Sequence, residues 1–129
     1  MSTSATGDEE KDSRVRRVFF HMVATDPPTI DDFCSNQQKG RTPRQPLTTE
    51  QQELRSGISA YESWAQARRK AGAFPWLGDY IAELHIPPDS EIRTRRTTNS
   101  CGHWTLWGDP AMLLACVVSV TLMRAQRPT

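Results

Sequence analysis

Short apolar runs with a two-residue period dominate the chain. In RVRRVFFHMVA (14–24), Val18, Phe20 and Met22 alternate with Arg17, Phe19, His21 and Val23. Its Val, Phe and Met content predicts a strand. GDYIAELHIPP (78–88) alternates more cleanly. Tyr80, Ala82, Leu84 and Ile86 share one face, Ile81, Glu83 and His85 the other, and Pro87-Pro88 stops the run. SEIRTRRT (90–97) is a polar strand suited to a sheet edge. HWTLW places His103, Thr105 and Trp107 opposite Trp104 and Leu106. GISAYES (57–63) reads as a brief strand with a hydroxyl-rich end. CVVSVTLM (116–123) reads as a last strand with too few polar residues to face water.

The helices are short and marked by their caps. Pro27 and Pro28 bar a helix before Thr29, which can cap a short one carrying Asp31 and Asp32 in its first turn. KGRTPRQPL (39–47) is a loop. Thr48 or Thr49 then caps EQQELR, which ends at Gly57. ESWAQARRKAGA (62–73) gathers Trp64, Ala67 and Ala71 on one side. Gly108 ends the HWTLW strand, Asp109 caps the next helix, and Pro110 takes its first turn. The expected fold is α+β. It is a single compact domain over residues 14–124, with a mostly antiparallel sheet of about five to six strands and short helices. Residues 1–13 are expected to be disordered and 125–129 to be a tail.

Composition narrows the possibilities. The 129 residues carry 16 Lys+Arg against 15 Asp+Glu, a net charge of +1. That balance gives no general steering toward nucleic acid or an anionic membrane. The longest apolar run, 111–123, is shorter than the roughly 20 residues that a membrane-spanning helix needs. The N-terminal MSTSATGDEEKDSR has no apolar core of the signal-peptide kind. With three cysteines and no Cys-x-x-Cys pair, free thiols in a cytoplasmic setting are expected. Cys116, at the start of an apolar strand, is expected to be buried and inert. Cys101 and His103 are the one closely spaced pair of metal-ligand types, so no metal site is expected.

Several side chains bear chemistry. Glu83 is a carboxylate within an apolar strand, so it is solvated, paired or functional. Arg93 or Arg95 is placed to pair with it if the next strand lies alongside. Arg17 and His21 share a face of the first strand, and Ser59 and Tyr61 a face of the second. Trp104 and Trp107, with His103, could wall a flat ligand. The stretch GHWTLWGDP is first a strand, turn and helix cap, and only then a ligand wall.

The order of these elements resembles that of small ADP-ribosyltransferase-type domains. The resemblance rests on RRVFFHMV as a first strand with a basic or histidine residue, then a helical insert, then GISAYESWAQARRKA. That last segment is similar to the family's glycine-led strand followed by an Ala-rich helix. The resemblance implies NAD as cofactor. By position it points to His21 or Arg17, then Ser59 or Tyr61, and Glu83, with His21, Tyr61 and Glu83 taken for catalysis and Arg17 and Ser59 for cofactor contact. Trp104, Trp107 and His103, the possible wall for a flat ring, complete the expected cofactor contacts. The predicted strands carry no Ser-Thr-Ser triplet and no Glu-x-Glu or Gln-x-Glu pair. The same resemblance therefore implies either NAD-dependent transfer or an inactive copy that binds a nucleotide. The competing reading is a non-enzymatic module that presents aromatic and arginine side chains to a protein, or less favourably to a nucleic acid, with no membrane role. The two differ in whether Arg17 or His21, Tyr61 and Glu83 meet in one cleft.

Overall fold

The computed structural model describes residues 17–97 and 102–123. The expected disordered stretch, the C-terminal tail and Cys101 lie outside them. Six strands form one antiparallel sheet: β1 (Arg17–Val23), β2 (Ile58–Tyr61), β3 (Tyr80–Ile86), β4 (Arg93–Arg96), β5 (His103–Trp107) and β6 (Val117–Leu122), in the order β4-β5-β2-β1-β3-β6. Three α-helices accompany them, α1 (Thr49–Arg55), α2 (Trp64–Ala73) and α3 (Pro110–Ala115), with 3-10 turns at Ile30–Phe33 and Pro75–Leu77. The α+β class expected from the pattern is the class observed.

Alternation along the strands gives the sheet two covered faces. On one, Phe19, Val23, Ile58, Ala60, Ala82, Leu84, Ile86 and Leu106 pack beneath Phe33 of the first 3-10 turn and Leu113 of α3. On the other, Met22, Tyr61 and Ile81 pack against Ala67 and Ala71 of α2. The small alanines let the helix backbone lie close to the sheet. Two caps form where the sequence places them: Thr48 accepts from the Gln51 amide and Asp109 from the Ala111 amide. Ser63, read as the end of a strand, caps α2 by accepting from the Gln66 amide. Thr29 caps a 3-10 turn rather than an α-helix.

Three expectations about neighbours need correction. The run 116–123 is not covered on both sides. Cys116 caps α3, and β6 is an edge strand with Val118 56% and Leu122 38% exposed. At an edge only alternate residues reach the core, and a register shift opposite Glu83 and Leu84 turns Val118 outward. Cys116 is half-buried, and that burial pushes its thiol above the usual range. Arg93 and Arg95 do not reach Glu83. Their strand β4 pairs with β5 at the opposite edge, and both contact the Glu53 carboxylate of α1.

A candidate ligand cleft where the sheet opens

The sheet is not uniformly zipped. β1 and β3 pair along their whole length, from Arg17 opposite Ile86 to Val23 opposite Tyr80. β1 and β2 meet only where Phe20 lies opposite Tyr61. Beyond that pair the strands part, and the backbone groups freed by the split need other partners. His21 stands in the opening. Its Nδ1 is 2.7 Å from the Ser59 carbonyl oxygen and its Nε2 2.7 Å from that of Asp32. The Asp32 carboxylate accepts from the Ala24 and Thr29 amides, at 2.9 and 2.8 Å, and so clips the 3-10 turn to the end of β1. Phe33 backs the imidazole, ring centres 5.2 Å apart.

A cleft of about 360 Å³ lies at this opening, lined by His21, Met22, Ser59, Tyr61, Lys70, Leu77 and His103. Its volume is at the lower end of the range for small-molecule sites. β2 and β5 bring the polar floor together, because Tyr61 lies opposite His103 and Ser59 opposite Thr105. His103 is held at both nitrogens, with Nε2 2.9 Å from Ser59 Oγ and Nδ1 2.6 Å from Thr97 Oγ1. Thr105 hydroxyl donates to Thr97 Oγ1 at 3.2 Å, extending the network into the sheet. The Tyr61 and His103 rings meet edge-on at 5.4 Å. Lys70, from the last turn of α2, supplies the charge.

Burial pushes both cleft histidines below their ordinary value of 6.5. His21 is shifted by desolvation against the pull of its two carbonyls, and His103 by desolvation and the Lys70 charge. The unfolded chain takes up protons at these groups before the folded one does, so the stability they contribute is present above about pH 6.5 and lost as pH falls toward the folded values. The unfolding free energy is therefore expected to drop between pH 7.5 and 5. His103→Gln is expected to flatten that drop in denaturant titrations. An unchanged slope in His103→Gln would mean that His103 titrates alike in both states.

Of the residues singled out from the sequence, His21, Ser59, Tyr61 and His103 meet in the cleft. The others do not. Arg17 lies away from it, its guanidinium 5.9 Å from the centre of the Trp104 ring and bonded to the Thr94 hydroxyl. The Trp104 indole N–H donates to Glu62 Oε1 at 2.8 Å, and its ring packs on Phe19. Trp107 is 8% exposed. Its N–H is 3.0 Å from both the Glu53 carbonyl and Ser56 Oγ, and Arg93 and Arg95 lie over its ring. Neither tryptophan walls the cleft. Glu83 lies opposite Phe20, one strand beyond the β1–β2 opening. Tyr61 and Glu83 thus flank Phe20 in one row, with backbones about 10 Å apart at normal strand spacing. Glu83 Oε2 is 2.7 Å from His85 Nε2, and Ser119 hydroxyl donates to Oε1 at 3.4 Å.

Lys70, Met22 and Leu77 were not singled out from the sequence. Lys70 had a signal. It falls three residues after Ala67 and one before Ala71, at the border of the stripe that packs on the sheet, where a long side chain can reach past the helix. Leu77 had none, since its place depends on the turn that follows α2. No family model, curated protein or solved structure matches this chain.

Proposed function

We propose that the cleft binds a small anionic molecule carrying a flat ring, of the NAD or ADP-ribose kind, and that the chain binds it without transferring any part of it. The observation that carries this reading is the meeting of Ser59, Tyr61 and His103 with Lys70 at the β1–β2 opening. The Lys70 ammonium and the Ser59 hydroxyl offer donors to phosphate oxygens, with His103 Nε2 holding the Ser59 oxygen in place. Among the described residues no carboxylate lines the cleft. The apolar side chains Met22 and Leu77 supply walls against which a ring or ribose can be desolvated.

Binding without transfer follows from Glu83. Breaking the nicotinamide bond develops positive charge on the ribose, which a carboxylate must face directly to stabilise. Glu83 stands behind Phe20 and is engaged by His85 and Ser119. The alternative, a surface for a protein or nucleic-acid partner built on Trp104, Trp107 and the arginines of β4, has less support. Both indoles spend their N–H groups inside the molecule, and Arg93 and Arg95 are engaged by Glu53 and Trp107.

The test is thermal unfolding with millimolar NAD or ADP-ribose. A ligand that binds only the folded chain raises the midpoint, by about 2.7 kcal/mol of stability at a hundred times its dissociation constant. The wild type and Glu83→Gln are expected to shift alike, and Lys70→Ala to shift less. An unmoved wild-type midpoint would remove the reading.

A further inference from the structure

Lys70 and Leu77, which line the cleft, border an aromatic pair outside it. Lys70 Nζ lies 4.4 Å from the centre of the Phe74 ring, and the Phe74 and Trp76 rings meet edge to face at 5.2 Å. Leu77, the next residue, is itself a cleft wall. Lys70 thus joins the polar floor to an aromatic pair at the mouth. Trp76 is 76% exposed, the most of any large apolar side chain among the described residues, with Phe74 at 37% and Leu77 at 39%. A single exposed apolar residue is ordinary, but three within one four-residue turn form a patch that calls for a partner. The other tryptophans are occupied. Trp104 and Trp107 donate internally, and Trp64 packs on Phe20.

The turn that carries the patch is stiff. Pro75 opens the 3-10 turn Pro75–Leu77, and Gly78 closes it, its amide donating to the Pro75 carbonyl at 3.3 Å. An aromatic pair on such a support loses little conformational freedom when it is covered. We propose that Phe74 and Trp76 form a stacking lip for the base of a nucleotide whose phosphates sit at Lys70 and Ser59. The assignment rests on the reading of the cleft as an anion site, and adds the part of the ligand that the cleft floor does not hold. A base offers a π-face to the indole, and stacking of this kind is commonly worth a factor of ten or more in affinity. A bilayer is the other apolar partner that such a turn could meet. The continuity with a cleft of defined volume, through Lys70, favours the nucleotide.

The experiment is calorimetric titration of the full chain with ADP-ribose, ADP and ribose 5-phosphate, the last having phosphate but no base. Wild type is expected to bind ADP-ribose and ADP at least about tenfold more tightly than ribose 5-phosphate. Trp76→Ala is expected to lose roughly that factor for the two nucleotides, leave ribose 5-phosphate unchanged, and keep the wild-type unfolding midpoint because the side chain is exposed. Trp76→Phe should fall between. If Trp76→Ala binds ADP-ribose as wild type does while Lys70→Ala does not, the lip is no part of the site although the cleft reading stands. Equal wild-type affinities for ADP-ribose and ribose 5-phosphate would also overturn the lip. Absence of any binding by wild type would overturn lip and cleft together. A blue shift of tryptophan emission on anionic phospholipid vesicles that is lost in Trp76→Ala, with no response to ADP or ADP-ribose, would reassign the turn to a membrane surface.

Discussion

Phe33→Ala is expected to destabilise the protein by about 3–5 kcal/mol. Phe33 is fully buried although it belongs to a four-residue 3-10 turn rather than to the sheet. Its ring fills the space between α3 and the sheet and backs the His21 imidazole. The turn is tethered by the Asp32 carboxylate to the Ala24 and Thr29 amides and by the Asp32 carbonyl to His21, so it cannot collapse into the space the ring leaves. The cavity would open beneath the one place where β1 and β2 are already apart. The loss is therefore expected to reach the cleft as well, through the contact between Asp32 carbonyl and His21. Denaturant unfolding measures the first effect. A midpoint shifted by less than the equivalent of about 1 kcal/mol would mean that the first 3-10 turn is not part of the cooperative core.

Gly78→Ala is expected to cost about 2–5 kcal/mol, from two separate causes. Gly78 adopts φ 144° and ψ 155°, a region closed to side-chain-bearing residues. A Cβ there would also stand 2.5 Å from the Val23 carbonyl oxygen and 2.9 Å from its carbon, both backbone atoms of β1. Neither can yield without moving the strand. Gly78 connects the aromatic turn to β3, so relief of the clash would swing Phe74, Trp76 and Leu77 relative to the cleft. Loss of stability together with loss of ligand response is expected. Stability within 0.5 kcal/mol of wild type, a change typical of exposed sites, would mean that the turn joins β3 by another path.

The sheet was legible in the sequence because period-two alternation carries through to burial. Tyr80, Ala82, Leu84 and Ile86 face one way, and Val18, Phe20 and Met22 face the other side of β1, with register following from pairing. Caps were legible at Asp109-Pro110 and Thr48 because they act locally. Gly57 was legible as a helix end but for a different reason from the one the pattern suggests. It needs no positive φ; a Cβ would stand 2.6 Å from Thr105 Cγ2 and 2.8 Å from the Leu106 carbonyl. Strand order was not legible. Nothing in SEIRTRRT says that it joins HWTLW rather than YIAELHI, and Glu83 consequently lost the arginine partners expected for it. Edge position was equally hidden in VVSVTL, whose apolar character suits a covered strand. The cleft was half legible. His21, Ser59, Tyr61 and His103 stand out as polar groups on strands, but the opening that unites them arises from a missing ladder between β1 and β2, and no residue type announces that.

Three histidines offer the most direct test, because two line the cleft and the third does not. His21 and His103 face the opening, whereas His85 is bonded to Glu83 on the far side of Phe20. Their imidazole resonances can be followed by NMR as ADP-ribose is added at constant pH. The expected result is saturable movement of the His21 and His103 signals, with His103 titrating at higher pH once a phosphate lies beside it, and no movement of His85. Movement of His85 with His21 and His103 still would place the ligand at Glu83 and contradict binding at the β1–β2 opening. Three unmoved histidines at millimolar ADP-ribose would contradict nucleotide binding itself.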